Sequence, residues 1–224
     1  MTSHSPLLLS IVTNVAFVLT MLCFVSGIPV CLEMIRNKST GKVDPAPFLA
    51  MILSCLLWGR YGQLIQDNMM IRINVIGLAF AVSYTSVFVM MAEKRPLAVK
   101  KVIYTLLLSL VIVTVASSTS DMVFFSGLAA AASSVVSSAS PLAGLGEVIR
   151  TKSTESLPFL LIFLSFLVTA AWFTYGVLVG DSFIVVQNFI SWVICSSQLS
   201  LFAIYPTKSK VQWAFKRIHL FSSG

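Results

Sequence analysis

Apolar and charged residues segregate sharply along this chain. The stretches 7–32, 73–92, 102–120, 122–146, 156–180 and 182–207 contain no Asp, Glu, Lys or Arg. Each meets the roughly 18–20 residues that an α-helix needs to cross about 30 Å of hydrocarbon. A seventh stretch, 46–65, is interrupted only by Arg60, close enough to its end for the side chain to snorkel. The pattern predicts an all-α membrane protein with seven transmembrane helices, at about 7–32, 46–65, 71–92, 100–117, 122–148, 158–178 and 183–205. Composition agrees: 57% of the 224 residues are hydrophobic, 10% are charged and the mean hydropathy is +0.93. A soluble surface is built with about 25% charged residues.

A second regularity lies over the first. Ile35-Arg36-Asn37-Lys38-Ser39-Thr40 returns as Ile149-Arg150-Thr151-Lys152-Ser153-Thr154, and Trp58, Tyr61, Gly62, Asp67 and Asn74 return as Trp172, Tyr175, Gly176, Asp181 and Asn188. All pairs share one spacing of 114 residues, about half the chain. Such a repeat in apolar surroundings implies two copies of one bundle with the working site between them.

Charge orients the copies. Of the 15 Lys and Arg residues, 13 fall in segments 33–45, 93–101, 149–157 and the tail after 206, all on one side of a seven-helix topology. By the positive-inside rule that side is the cytosol, with the N-terminus outside. The sequon Asn37-Lys38-Ser39 is then cytosolic and not a glycosylation site. Both Lys-Ser-Thr loops lie on the same side, so the halves run parallel, and helix 4 is the extra crossing that permits it. The predicted architecture is 3+1+3: a triple-helix bundle over 7–92, an inverting linker helix with its loops over 93–121, a second bundle over 122–205 and a cytosolic tail over 206–224. The basic residues set orientation, which argues against nucleic acid as a partner despite the net charge of +7.

The residues with chemistry are few. Trp58 follows Pro47 by eleven residues, roughly 16 Å of helix, and so sits near mid-membrane, as does Trp172 after Pro158. Tryptophan prefers the interface, so two at mid-depth are unusual. An aromatic face suits the C–H surface of a ring, and the carboxamides of Asn74 and Asn188 suit hydroxyl groups. Each Asn needs a partner in the membrane, either another helix, water or a substrate. Tyr61 and Asp181 approach the outer ends of helices 2 and 7, where hydroxyl and carboxylate could latch; Asp181 could equally be an exposed loop acid, and Arg60 could compete for it. Tyr175 and Asp67 are their repeat equivalents. The small-residue run of helix 5 reads as a packing face, with Ser137 or Ser138 as alternative pore-lining groups. Val211, Ala214, Phe215 and Ile218 in the basic tail suit an interfacial helix or plain disorder. Cys23, Cys31, Cys55 and Cys195 stand singly in apolar runs, as packing thiols and not metal ligands. No basic residue precedes Leu7, so a cleaved signal is not expected.

Taken together, Lys38-Ser39-Thr40, Trp58 through Gly62, Ala139-Ser140-Pro141-Leu142, Thr151 through Glu155, Pro158-Phe159, Trp172, Tyr175-Gly176 and Tyr205-Pro206 resemble the SWEET (saliva/MtN3-type, PQ-loop-related) sugar transporters over about residues 7–206. The 3+1+3 parallel repeat of that family is a known architecture. The resemblance implies sugar contact by Trp58, Asn74, Trp172 and Asn188 and an outer gate at Tyr61 and Asp181. It also implies pliable points at Pro47, Pro141 and Pro158. Gly27 stands where the family has its fourth such proline, with Pro29 two residues on and a weaker candidate for that role. It further implies a small-molecule sugar substrate, a lipid bilayer environment and a possible homo-oligomer, with no cofactor. The only histidines, His4 and His219, lie at the termini and no acid sits in the interior of a predicted helix. That predicts facilitative, bidirectional transport by alternating access, without ion coupling and without enzymatic chemistry. The alternative is a seven-helix receptor or sorting protein of the PQ-loop type, which would place charge in its cavity. The plasma membrane is the expected location, with the Golgi or another endomembrane as alternatives.

Overall fold

A computed structural model of the chain describes residues 6–137, 139–155 and 157–205. Among these residues there are nine helices and no strands: α1 Pro6–Val25, α2 Ile28–Asn37, α3 Ala46–Leu64, α4 Asn68–Met91, α5 Arg95–Ser117, α6 Met122–Ser137, α7 Ala139–Thr151, α8 Phe159–Val179 and α9 Ser182–Ile204. Five helical stretches are long and apolar enough to cross a bilayer, the first running from Pro6 to Asn37. With α3 and the α6–α7 pair they make the seven crossings of the 3+1+3 architecture. Ser138 and the tail after Tyr205 lie outside the described residues, so the pore-lining reading of Ser138 and the tail helix do too.

Each half is a triple-helix bundle. α3 packs most extensively on α4 and α8 on α9, while α2 lies against α4 and α7 against α9. Two seams join the bundles, α1 against α8 and α3 against α6, and the repeat converts one seam into the other. α5 lies outside, against α3 and α4, and reaches α6. The repeat extends to backbone dihedrals. Lys38 and Lys152, at the basic-loop end, both adopt φ 51°. At the opposite end Gln66 has φ 58° and Gly180 has φ 75°.

The first crossing is interrupted where an unbroken helix over 7–32 was expected. α1 stops at Val25 and α2 starts at Ile28. Pro29 has no N–H to offer the Val25 carbonyl, and a proline ring crowds the carbonyl four residues before it. Proline near the start of a new helix sacrifices nothing. Gly27 is the other half of the break: a Cβ there would lie 2.6 Å from the Tyr84 ring. The Tyr84 hydroxyl donates to the Phe24 carbonyl at 2.5 Å, satisfying an acceptor that the interruption exposes. The glycine therefore stands where a ring from α4 must approach, and Pro29 supplies the break. In the second half, α6 ends at Ser137 and α7 begins at Ala139, with Ser138 between them outside the described residues. Tyr84→Phe is expected to lower stability by about 1 kcal/mol through loss of this bond; an unchanged Tm in detergent would contradict it.

Candidate functional site at the bundle seam

The two seams enclose a central cavity of about 240 Å³. Its walls include all four residues singled out in the sequence, Trp58, Asn74, Trp172 and Asn188. Trp58 is on α3 and Trp172 on α8, each reaching across its seam. The Trp58 indole N–H donates to Ser134 Oγ on α6 at 2.9 Å, and the Trp172 indole N–H donates to Thr20 Oγ1 on α1 at 2.9 Å. Thr20 and Ser134 are themselves repeat equivalents and share the cavity wall. Each tryptophan is thus held in place by the opposite bundle, with a face left toward the cavity.

The asparagines find their partner within their own helix. Asn74 Nδ2 donates to the Met70 carbonyl and Asn188 Nδ2 to the Ile184 carbonyl, both at 2.8 Å. These bonds fix the carboxamides while leaving an oxygen and a second N–H on each for the cavity. Asn188 is buried and Asn74 half-buried. Gln187 and Ser54 add further polar groups, and among the described residues no charged side chain lines the cavity. Such a site favours an uncharged solute with both an apolar face and hydroxyl groups.

Above the cavity, at the end away from the basic loops, two latches cross the molecule. The Tyr61 hydroxyl donates to Asp181 Oδ2 at 2.7 Å, and the Tyr175 hydroxyl donates to Asp67 Oδ2 at 2.6 Å. The predicted pair is joined, and so is its repeat equivalent. Each aspartate works twice. Asp181 Oδ1 caps α9 by accepting from the Phe183 and Ile184 N–H groups, and Asp67 Oδ1 caps α4 by accepting from the Met70 N–H. Capping aims the second oxygen at the tyrosine of the other bundle. Tyr61 and Tyr175 pack edge-on to Trp58 and Trp172, with centroids 5.9 and 5.4 Å apart. Latch and cavity therefore share one aromatic layer.

Arg60 does not compete for Asp181. It points to the other side of α3, where its guanidinium donates to Ser117 Oγ at 3.4 Å. Ser137 is exposed and donates to the Ser133 carbonyl, and Ser134, one turn earlier, lines the cavity in its place. Pro47 is the second residue of α3, Pro158 caps α8, Gly27 caps α2, and Pro141 lies in the first turn of α7. Gly27, Pro47 and Pro158 sit at helix starts nearer the basic-loop end, and Pro141 lies within the helical stretch nearer the same end. Sequence reasoning passed over Gln187, and also the cavity role of the Thr20 and Ser134 hydroxyls, although the 114-residue spacing marks that pair. Among the described residues no cluster of His, Cys, Asp or Glu could hold a metal ion.

Comparison with known proteins converges on one family. A family model described as "Sugar efflux transporter for intercellular exchange" (MtN3/saliva type) matches residues 10–96 and again 123–210, one match per half. The chain is 33% identical to "Sugar transporter SWEET1" of Drosophila pseudoobscura pseudoobscura, over 93% of this chain and 94% of that protein. It is 32% identical to "Bidirectional sugar transporter SWEET2a" of Sorghum bicolor, over 85% and 80% of the two chains. A solved structure of a eukaryotic SWEET transporter superposes with a TM-score of 0.80 at 26% identity, covering 87% of this chain and 95% of the other.

Proposed function

The chain belongs to the MtN3/SWEET family of sugar transporters, and on that premise we propose that it is a facilitative, bidirectional uniporter for a small neutral sugar. The observation that carries this reading is the uncharged cavity on the repeat axis, with two tryptophans and two asparagines as its recognition groups. A sugar ring stacks its C–H face on Trp58 or Trp172, and its hydroxyls exchange hydrogen bonds with the free amide atoms of Asn74 and Asn188. At about 240 Å³ the cavity is smaller than the roughly 300–1,000 Å³ of sites for drug-sized ligands, in keeping with a small solute.

Transport proceeds by alternating access. The bundles 7–92 and 122–205 rock against each other, with 93–121 as the linker. The Tyr61–Asp181 and Tyr175–Asp67 bonds hold one mouth shut, and Gly27, Pro47, Pro141 and Pro158 supply the pliable layer at the other. The basic loops orient the protein with the latched mouth outside and the C-terminus in the cytosol.

No ion drives the cycle, because among the described residues the cavity wall carries no Asp, Glu, Lys, Arg or His that could couple sugar to protons. In proteoliposomes with an imposed proton gradient, labelled sugar is expected to equalise across the membrane and to stop there. Accumulation above that level would overturn the uniport reading.

A further inference from the structure

A second cavity, of about 380 Å³, opens between α3, α4 and α5 on the outer side of the first bundle. Its rim residues Val75, Leu106 and Leu110 are 62%, 47% and 62% exposed, so in a membrane the groove faces acyl chains directly. Arg60 lies in its wall. The Arg60 Nε is buried with no hydrogen-bond partner, and the rest of the guanidinium has one long bond to Ser117. Among the described residues no carboxylate pairs with this cation, for the one ion pair found is Arg150 with Glu147. An arginine in an apolar span without an anion is costly and calls for one.

Depth identifies the anion. Arg60 precedes the end of α3 at Leu64 by four residues, roughly 6 Å of helix, and Ser117 ends α5 at the same level. Gln63, exposed, lines the groove one turn beyond Arg60. Cation and carboxamide therefore stand at the boundary between headgroups and hydrocarbon, with an apolar slot running away from them toward mid-membrane.

We propose that this groove is a binding site for one phospholipid. Its phosphate accepts from the Arg60 guanidinium, the planar fork suited to phosphate. Gln63 donates to the headgroup or ester region, and an acyl chain lies in the slot between α4 and α5. The slot shares Cys55 and Asn74 with the central cavity, so the bound chain packs behind one wall of the sugar site.

Native mass spectrometry of the intact protein, titrated with phosphatidylcholine or phosphatidylglycerol, tests this directly. The wild type should retain one tightly held phospholipid per chain, as should Arg36→Gln, which removes an exposed cation. Arg60→Gln should weaken retention at least about tenfold, a change of about 1.4 kcal/mol. Leu110→Trp, which fills the slot and keeps the charge, should also weaken it. Diacylglycerol, with the chains but no phosphate, should bind wild type no better than Arg60→Gln. Unchanged retention in Arg60→Gln or in Leu110→Trp, equal retention of diacylglycerol, or a second copy of the chain bound where the lipid should be would each overturn the site.

Discussion

Asn188→Leu is expected to lower sugar uptake at least about tenfold while the protein still folds. The leucine keeps the side-chain volume and removes every hydrogen-bonding atom. A sugar hydroxyl buried against it then lacks a partner, at a cost of about 1–3 kcal/mol, and each 1.4 kcal/mol is a factor of ten. Folding is little affected, because the bond lost runs to the Ile184 carbonyl four residues earlier, which already accepts within the helix. Asn74→Leu should act in the same direction but more weakly, since Asn74 is half-buried and water can replace part of what is lost. Trp172→Ala should match Asn188→Leu, as it removes the stacking face together with the bond to Thr20. Uptake of labelled sugar, corrected for membrane-inserted protein, gives the comparison; full activity in both Asn188→Leu and Trp172→Ala would remove the pocket assignment.

Gly127→Val is expected to be the most damaging substitution at the latched end. A Cβ at Gly127 would lie 2.5 Å from the Phe183 ring and 2.8 Å from that of Tyr61. The two rings pack edge to face with centroids 5.7 Å apart, and Tyr61 is buried, so neither can withdraw freely. Overpacking of this kind costs about 1–3 kcal/mol. Here the strain falls on the tyrosine that bonds Asp181, so the latch opens before the fold is lost. Lower Tm and several-fold slower uptake are the expected readings, with Gly127→Ala between wild type and valine. Tyr61→Phe, which deletes only the latching hydroxyl, should reproduce the transport defect with a smaller change in Tm. Wild-type uptake and Tm in Gly127→Val would show that the α3–α6 seam does not position Tyr61.

Much of this geometry was legible because the chain repeats. The 114-residue spacing marks Trp58 with Trp172, Asn74 with Asn188 and Tyr61 with Tyr175, and the structure brings each pair to the same layer. Charge placement was enough for the parallel 3+1+3 arrangement. Apart from the Thr20 and Ser134 pair, which the spacing does mark, the rest depends on contacts that periodicity does not encode. The break at Gly27 depends on a ring from α4, a contact visible only once the helices pack. Gln187 lines the cavity, yet its repeat equivalent is Ile73, so symmetry gave no signal. The repeat did mark the second Tyr–Asp pair, Tyr175 with Asp67; what residue spacing does not reveal is the capping geometry that aims one carboxylate oxygen at the tyrosine. Arg60 read as a rival for Asp181 because the two are close in topology; the helical turn sends its side chain to the opposite face.

A chain that moves sugar should confer uptake on cells that have none of their own. Labelled glucose and sucrose supplied to cells lacking their own sugar transport test it most directly. The account predicts that cells expressing the wild type take up at least one of the two, that unlabelled sugar preloaded inside accelerates entry, and that Asn188→Leu loses both effects. Uptake of neither sugar, with the protein correctly inserted, would contradict it and favour a membrane receptor built on the same seven helices.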